Sequence, residues 1–188
     1  GEDLLRRNEL DDYVLWLNRH PGRRVDVAIS GTEKPGEVVL DYLVNEARPW
    51  YVYAQVSNTG TKQTSEWRER FGVIHNQLTG HDDILSLEYV TAGFEKSHAV
   101  IGSYDFPLPG LPRVRNKISA TWSEFTASDV GQDLGKFTGD QWTVGDELSI
   151  NLYQQRELFL DGVVGARFQS VSVTNDTFGT PEAGDGDY

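Results

Sequence analysis

LNRHPGRRVDVAISGTEKPGEVVLDYLVNEARPW, residues 17–50, is the stretch on which the fold turns. Val25, Val27 and Ile29 alternate with Arg24, Asp26 and Ser30, so one face of this segment is apolar. Val38, Leu40, Tyr42 and Val44 alternate in the same way with Val39, Asp41, Leu43 and Asn45. Between them, 31–36 holds two glycines and Pro35, which predicts a hairpin with a medium loop. Upstream, Leu10, Tyr13, Val14 and Leu17 fall at i, i+3, i+4 and i+7, the stripe of a short helix that Pro21 and Gly22 stop. Asn8 is the expected N-cap, with Glu9, Asp11 and Asp12 in a first turn where the helix dipole favours carboxylates. Helix plus hairpin, about 45 residues, is marginal as a domain by itself.

From Pro49 the pattern becomes strand after strand, predicting about seven, near 51–57, 67–75, 84–91, 98–104, 117–125, 147–154 and 158–173. Leu85, Leu87 and Tyr89 oppose Ser86 and Glu88, and Ile118, Ala120 and Trp122 oppose Lys117, Ser119, Thr121 and Ser123. Turns at 77–82 and 155–157 are short, while linkers at 58–65 and 127–142, on the opposite rim of a meander, are longer. The proline-rich 106–112 departs from that rule. Short turns on one rim, long loops on the other and aromatics near strand ends (Trp50, Tyr51, Trp67, Trp142, Phe159) describe an outer-membrane barrel. The same pattern suits a soluble β-sandwich or lipocalin-like barrel.

Composition narrows the classes. A net charge of −12 argues against a nucleic-acid partner, because phosphate binding needs clustered Lys and Arg. The absence of cysteine excludes disulfides, thiolate metal sites and cysteine nucleophiles. No apolar run approaches the roughly 18 to 20 residues of a membrane helix. Barrel strands alternate, so the mean hydropathy of −0.48 is no objection to them.

Three pieces of the chain resemble the two-partner-secretion outer-membrane transporters, the ShlB/FhaC/HecB family of the BamA-like superfamily. Leu17-Asn18-Arg19-His20-Pro21 followed by Arg24-Val25 is similar to the junction of that family's second POTRA domain. Gly31 to Glu37, an alternating strand and Arg48-Pro49-Trp50 resemble its last POTRA hairpin running into the first barrel strand. Asn58 and Gly60, then Asn76, Gly80 and Asp82, resemble its first loop and first turn, although His81 or Asp82 stands where the family turn has a second glycine. Gly60 and Gly80 are expected to supply positive φ, and Asn58, Asn76 and Asp82 side-chain-to-backbone hydrogen bonds. Pro49, with no N–H to donate, suits a domain-to-barrel junction. The family's first POTRA domain, plug helix, VRGY-type motif and last strands do not occur in this stretch, so it is expected to be a piece of a longer protein.

The resemblance implies a mainly β fold: 1–48, the C-terminal part of a POTRA domain (helix plus β-hairpin), then 49–188, part of an antiparallel transmembrane β-barrel. It implies a bacterial outer-membrane protein with its N-terminal part in the periplasm. Its partners would be outer-membrane lipid and a large hemolysin- or adhesin-type exoprotein, exported as an unfolded chain without ATP. The client would add as a strand to the POTRA edge, in a groove of Leu10, Tyr13, Leu17, Tyr42 and Val44. Those residues equally suit the unit's own core. Arg68, Arg70, Ser86, Glu88, Ser119 and Thr121 would line the conduit. A BamA-like insertase would share this fold, and a soluble β-barrel binding module would turn its apolar faces inward.

Enzyme chemistry finds no footing, and no cofactor is expected. His81-Asp82-Asp83 is expected to be a structural turn, since adjacent strand residues point to opposite faces and cannot easily converge on one ion. Glu66, Glu69, Glu88, Glu124 and Glu147 suit a hydrated polar interior better than a glycosidase pair. Gly184 to Asp187 lacks the spacing and closing Glu of a calcium loop, and a solvated loop is expected there.

Overall fold

The computed structural model describes residues 6–62, 64–130, 135–175 and 185–187. It contains one helix, α1 (Arg7–Leu17), and ten strands: β1 (Arg23–Gly31), β2 (Val38–Glu46), β3 (Trp50–Ser57), β4 (Arg68–Asn76), β5 (Ile84–Thr91), β6 (Ser97–Pro107), β7 (Val114–Val130), β8 (Gly135–Gln155), β9 (Leu158–Asn175) and β10 (Asp185–Asp187). Strands β1 and β2 form a hairpin, and β3 to β10 form a second sheet in which every strand neighbours the next in sequence. The chain divides into two units, one of Gly1–Pro49 with Ile150–Gly162, the other of Trp50–Ser149 with Val163–Tyr188.

In the first unit α1 begins two residues earlier than Asn8 would allow as a cap. Arg6 is the N-cap, makes no side-chain cap bond, and Asn8 lies inside the first turn. Leu10 is buried on the helix stripe and packs in a unit whose other buried apolar side chain is Val25 of β1. The Arg23 guanidinium donates to the Leu17 carbonyl at 3.0 and 2.8 Å, placing positive charge on the negative end of the helix dipole. The expected hairpin forms, and its register, Val25↔Val44, Val27↔Tyr42 and Ile29↔Leu40, puts the two apolar sets on one face.

All seven strands expected after Pro49 are present, and three run longer than the alternation suggested. β7 extends to Val130 and β8 begins at Gly135, so most of the expected 127–142 linker is strand, and 131–134 lie outside the described residues. With β5 and β6 joined by the short 92–96, the rim asymmetry expected from loop lengths survives, among the described residues, at 58–67. Trp142 consequently lies within β8 rather than near its end. Asp185–Asp187, expected in a solvated loop, pairs with Ser170–Ser172 of β9, while Gly184 lies outside the described residues.

The turn joining β4 to β5 is organised by Asp83, fully buried. Its carboxylate accepts from the Thr79 N–H at 3.0 Å, the Thr79 hydroxyl at 2.8 Å and the His81 N–H at 3.4 Å. Gln77, Gly80 and Asp82 all take positive φ, of 83°, 76° and 60°. Gly80 thus has the positive φ expected of it, and Asp82 also takes positive φ, a region Asp tolerates better than most residues. Asn76 ends β4 opposite Ile84. Gly60 is glycine for another reason. Its φ lies outside the left-handed region, but an added Cβ would meet the Ser65 carbonyl oxygen at 1.9 Å. Beside Asn58, the loop is tied by the Ser57 and Thr59 hydroxyls, 3.2 Å apart.

Two outcomes are expected from this packing. Burial alone would push the Asp83 carboxyl up, but the bonds from Thr79, Tyr104 and His81 outweigh it and hold its pKa below the usual range. Its contribution is therefore complete above the ordinary carboxylate range and lost as pH falls through the depressed folded value. Asp83→Asn should cost about 1.5–3 kcal/mol near neutrality and flatten that acid limb when unfolding midpoints are compared across pH. At Gly72 of β4 an added Cβ would lie 2.3 Å from the Tyr53 ring on β3. Gly72→Ala should cost about 1–3 kcal/mol in denaturant unfolding, and much less in a Tyr53→Ala background.

Candidate functional site

The register of β3 to β7 sorts side chains by face. Tyr53 pairs with Gly72, Gly72 with Glu88, Glu88 with Ile101 and Ile101 with Thr121. Residues two apart along a strand share a face, so Arg68, Arg70, Ser86, Glu88, Ser119 and Thr121, the six expected conduit residues, fall on one face. Tyr51, Gln55, Ser103, Asp105 and Lys117 join them. The other face carries Val52, Val73, Leu87, Tyr89, Val100, Ile118 and Trp122.

Burial on these faces is inverted relative to a water-soluble sheet. Val52 is 73% exposed, Leu87 44% and Trp122 42%, while Ser86, Glu88, Ser119, Thr121 and Ser123 are half-buried. Among the described residues the buried apolar side chains are Leu10, Val25 and Ala92, so the large sheet has almost no apolar core. Two polar groups on the apolar face, both near strand ends, are hydrogen-bonded. Glu69, buried, accepts from the Gly93 N–H at 2.9 Å. Asn116, at the edge of burial, donates to Asp146 at 2.6 Å.

The polar face is cross-linked near β3. The Tyr53 ring lies over Gly72, its hydroxyl donates to Glu88, and Arg70 approaches the same carboxylate at 3.5 Å. Three strands are thereby tied from one side. Glu88 is spent on this arrangement, and Glu69 and Glu124 face the opposite way.

Aromatic placement corrects the sequence expectation in two respects. Trp50, 62% exposed, starts β3 with its ring edge-on to His75 at 4.4 Å, as a strand-end anchor would, directly after Pro49. Tyr51 cannot join it, because it points to the polar face beside Tyr53. Phe159 packs instead near Trp16 of α1, with ring centroids 6.4 Å apart. Trp67 lies just before β4, and Trp142 pairs with Phe168 at 5.2 Å.

In the first unit the expected groove residues are only partly assembled. Tyr13 and Tyr42 meet edge to face at 6.2 Å, each about half exposed, and Val44 is exposed opposite buried Val25. Leu10 is inside, and Leu17 contributes its carbonyl to Arg23. Asn18, quoted in the sequence motif but given no role, proves central. Its amide donates to the Val25 carbonyl at 3.0 Å and accepts from the Val25 N–H at 2.6 Å, pairing with β1 as a neighbouring strand would. An Asn directly after a helical stripe and a few residues before a strand was the available signal.

No family model matches the chain. Over 90 residues it is 31% identical to the heme/hemopexin transporter protein HuxB of Haemophilus influenzae, a match covering 48% of this chain and 16% of that protein. HuxB from another strain of the species is 29% identical over 92 residues, 49% of this chain and 16% of the relative. The chain thus spans a small part of the curated relatives it matches. CdiB from Escherichia coli superposes with a TM-score of 0.76 at 16% identity, over 100% of this chain and 35% of that one. CdiB from Acinetobacter baumannii gives 0.68 at 13% identity, over 93% and 34%. At these identities the likeness speaks to fold. Over this stretch the chain has the fold of the CdiB proteins: a POTRA-like helix plus hairpin followed by part of an antiparallel β-barrel.

Proposed function

We propose that the chain is the POTRA-to-barrel region of a two-partner-secretion translocator of the bacterial outer membrane, passing an unfolded exoprotein through a polar conduit without ATP. The inverted burial of β3 to β7 carries this reading. Apolar side chains that face outward without a core need an apolar solvent, and lipid is that solvent. The HuxB relatives are named as transporters, and the CdiB proteins are two-partner-secretion transporters, which supports the same assignment.

In this arrangement 1–48 is the periplasmic docking part and 49–188 the barrel part. The rim bearing 77–83, 108–113 and 156–157 faces the periplasm, because the chain enters β3 at that rim through Pro49. The polar face of Arg68, Arg70, Ser86, Glu88, Ser119 and Thr121 lines the conduit. A client strand adds to the free edge of β1. Asn18 already holds the backbone of Val25, and alternate residues of a strand direct their N–H and C=O to the same edge. Addition therefore runs from Val27 toward Gly31, with Tyr13, Tyr42 and Val44 as the adjoining apolar contacts and Leu10 and Leu17 as support. The client is a large secreted protein, of hemolysin or adhesin type by family resemblance.

Substitution on the two faces tests the membrane assignment. Leu87→Arg should cost about 2–4 kcal/mol in folding from denaturant into lipid vesicles, while Ser86→Arg next to it should change stability little. Equal, small effects at both positions are what a soluble module would give, since Leu87 is exposed to its surroundings, and would overturn the proposal. Export of a large secreted protein encoded beside this one, lost when the full-length translocator is deleted, tests the transport half.

A further inference from the structure

The unit that contains α1 is built from two stretches far apart in sequence, Gly1–Pro49 and Ile150–Gly162, the latter being the facing ends of β8 and β9. The chemistry joining them is concentrated on the helix and the residues just after it. Arg19 donates two hydrogen bonds to the Asp161 carboxylate, at 3.2 and 2.5 Å, the fork-to-fork geometry that makes such pairs directional. Asn151, buried, donates to the same carboxylate at 2.7 Å. The Arg19 guanidinium also lies over two rings, 5.0 Å from Trp16 and 4.6 Å from Phe159, so one cation is bonded in its plane and covered by aromatic faces from both stretches.

A second contact stands one turn earlier. Asp12 accepts the Arg156 N–H on its side chain at 2.8 Å, and the Gln154 side-chain amide on its main-chain carbonyl at 2.6 Å. Arg156 has a φ of 52°, a conformation that few residues other than glycine adopt. The N–H of this strained residue is the one that Asp12 holds. Residues 156–157 form a two-residue hairpin turn, which itself requires positive φ at its first position, and this conformation presents the Arg156 N–H to Asp12.

We infer that Ile150–Gly162 is a clasp on α1, and that Arg19 and Asp161 are positioning residues that keep the docking helix engaged with the β8–β9 hairpin. The inference deepens the translocator reading and rests on it. The chain passes between the two units three times, after Pro49, Ser149 and Gly162. A client engaged at the docking hairpin therefore acts on β8 and β9 through the clasp, as well as on β3 through the Pro49–Trp50 junction. The grip consists of a few polar bonds and one stacked cation rather than an apolar core, so it can release while the sheet stays folded.

Hydrogen exchange read by mass spectrometry on the full-length protein tests this, using Arg19→Glu and the charge swap Arg19→Glu/Asp161→Arg. With Arg19→Glu, amides of 154–159 and 12–17 should exchange about tenfold faster or more, the size expected for loss of a charge-assisted pair. Those of β4 to β6 should be unchanged, and the swap should restore protection. No change at 154–159 would overturn the clasp. Faster exchange throughout β4 to β6, or no recovery in the swap, would equally overturn it, by showing a general structural role. Client export should fall at least about tenfold with Arg19→Glu and return with the swap; unaltered export alongside altered exchange would overturn the coupling. Absence of export by the unsubstituted protein would sink the translocator reading alone, leaving the exchange data to judge the clasp.

Discussion

Hydrogen-bonded register is the constraint from which the other features of the large sheet follow. Once Tyr53 stands opposite Gly72 and Gly72 opposite Glu88, every residue of β3, β4 and β5 is committed to a face. A slip of one residue would turn Val52, Val73 and Leu87 onto the side of Arg70 and Glu88. The Tyr53 ring over Gly72 and its hydroxyl on Glu88 hold that register across three strands at once. The glycine is what lets the ring lie flat there, and the carboxylate is what fixes the ring's far end. Polar and apolar faces are thus a consequence of one pinned row.

Much of this was legible in the sequence, and the reason is the period of two. Alternation in 84–91 and 117–125 needs no tertiary information to be recognised, and it separates Ser86, Glu88, Ser119 and Thr121 from their apolar neighbours. The shared face of these four with Arg68 and Arg70 follows only from the register. Extent was less legible. β7 and β8 continue past their alternating cores through Thr126–Val130 and Gly135–Gln141, where Ser, Thr, Asp and Gly give no apolar rhythm, so these segments resembled loops. Tyr51 was misassigned for a related reason. Proximity to a strand end says nothing about facing, which the single-residue offset from Trp50 decides.

Turn chemistry was partly readable. Gly80 announced a positive φ, but the residue that organises the turn is Asp83, whose carboxylate gathers two backbone N–H groups and a hydroxyl. Nothing in the run His81-Asp82-Asp83 distinguishes the buried acid from its neighbour until the backbone conformation is known. The contacts of α1 with 150–162 were beyond sequence reasoning altogether. Arg19 and Asp161 are 142 positions apart, and neither stands in a pattern that requires the other. Asn18 lies between these cases: its motif was noticed, while its pairing with Val25 depends on the helix ending where a strand can begin.

A free strand edge has opposite consequences on the two sides of Pro49 and Trp50. The unpaired N–H and C=O groups along the outer edge of β3 cannot remain so in hydrocarbon, where each costs several kcal/mol. If the apolar face of this sheet is solvated by lipid, that edge must be closed by another strand of a complete barrel. With 1–48 in the periplasm, as proposed, the edges of β1 and β2 would bear no such penalty, because water would satisfy the same groups. Among the described residues β1 has β2 as its strand neighbour, and Asn18 bonds its other edge at Val25. Under that reading one chemical feature would be consumed in closing a barrel and kept open in the β1–β2 hairpin. In the proposed arrangement solvent alone would separate the two fates, lipid for β3 and water for β1 and β2.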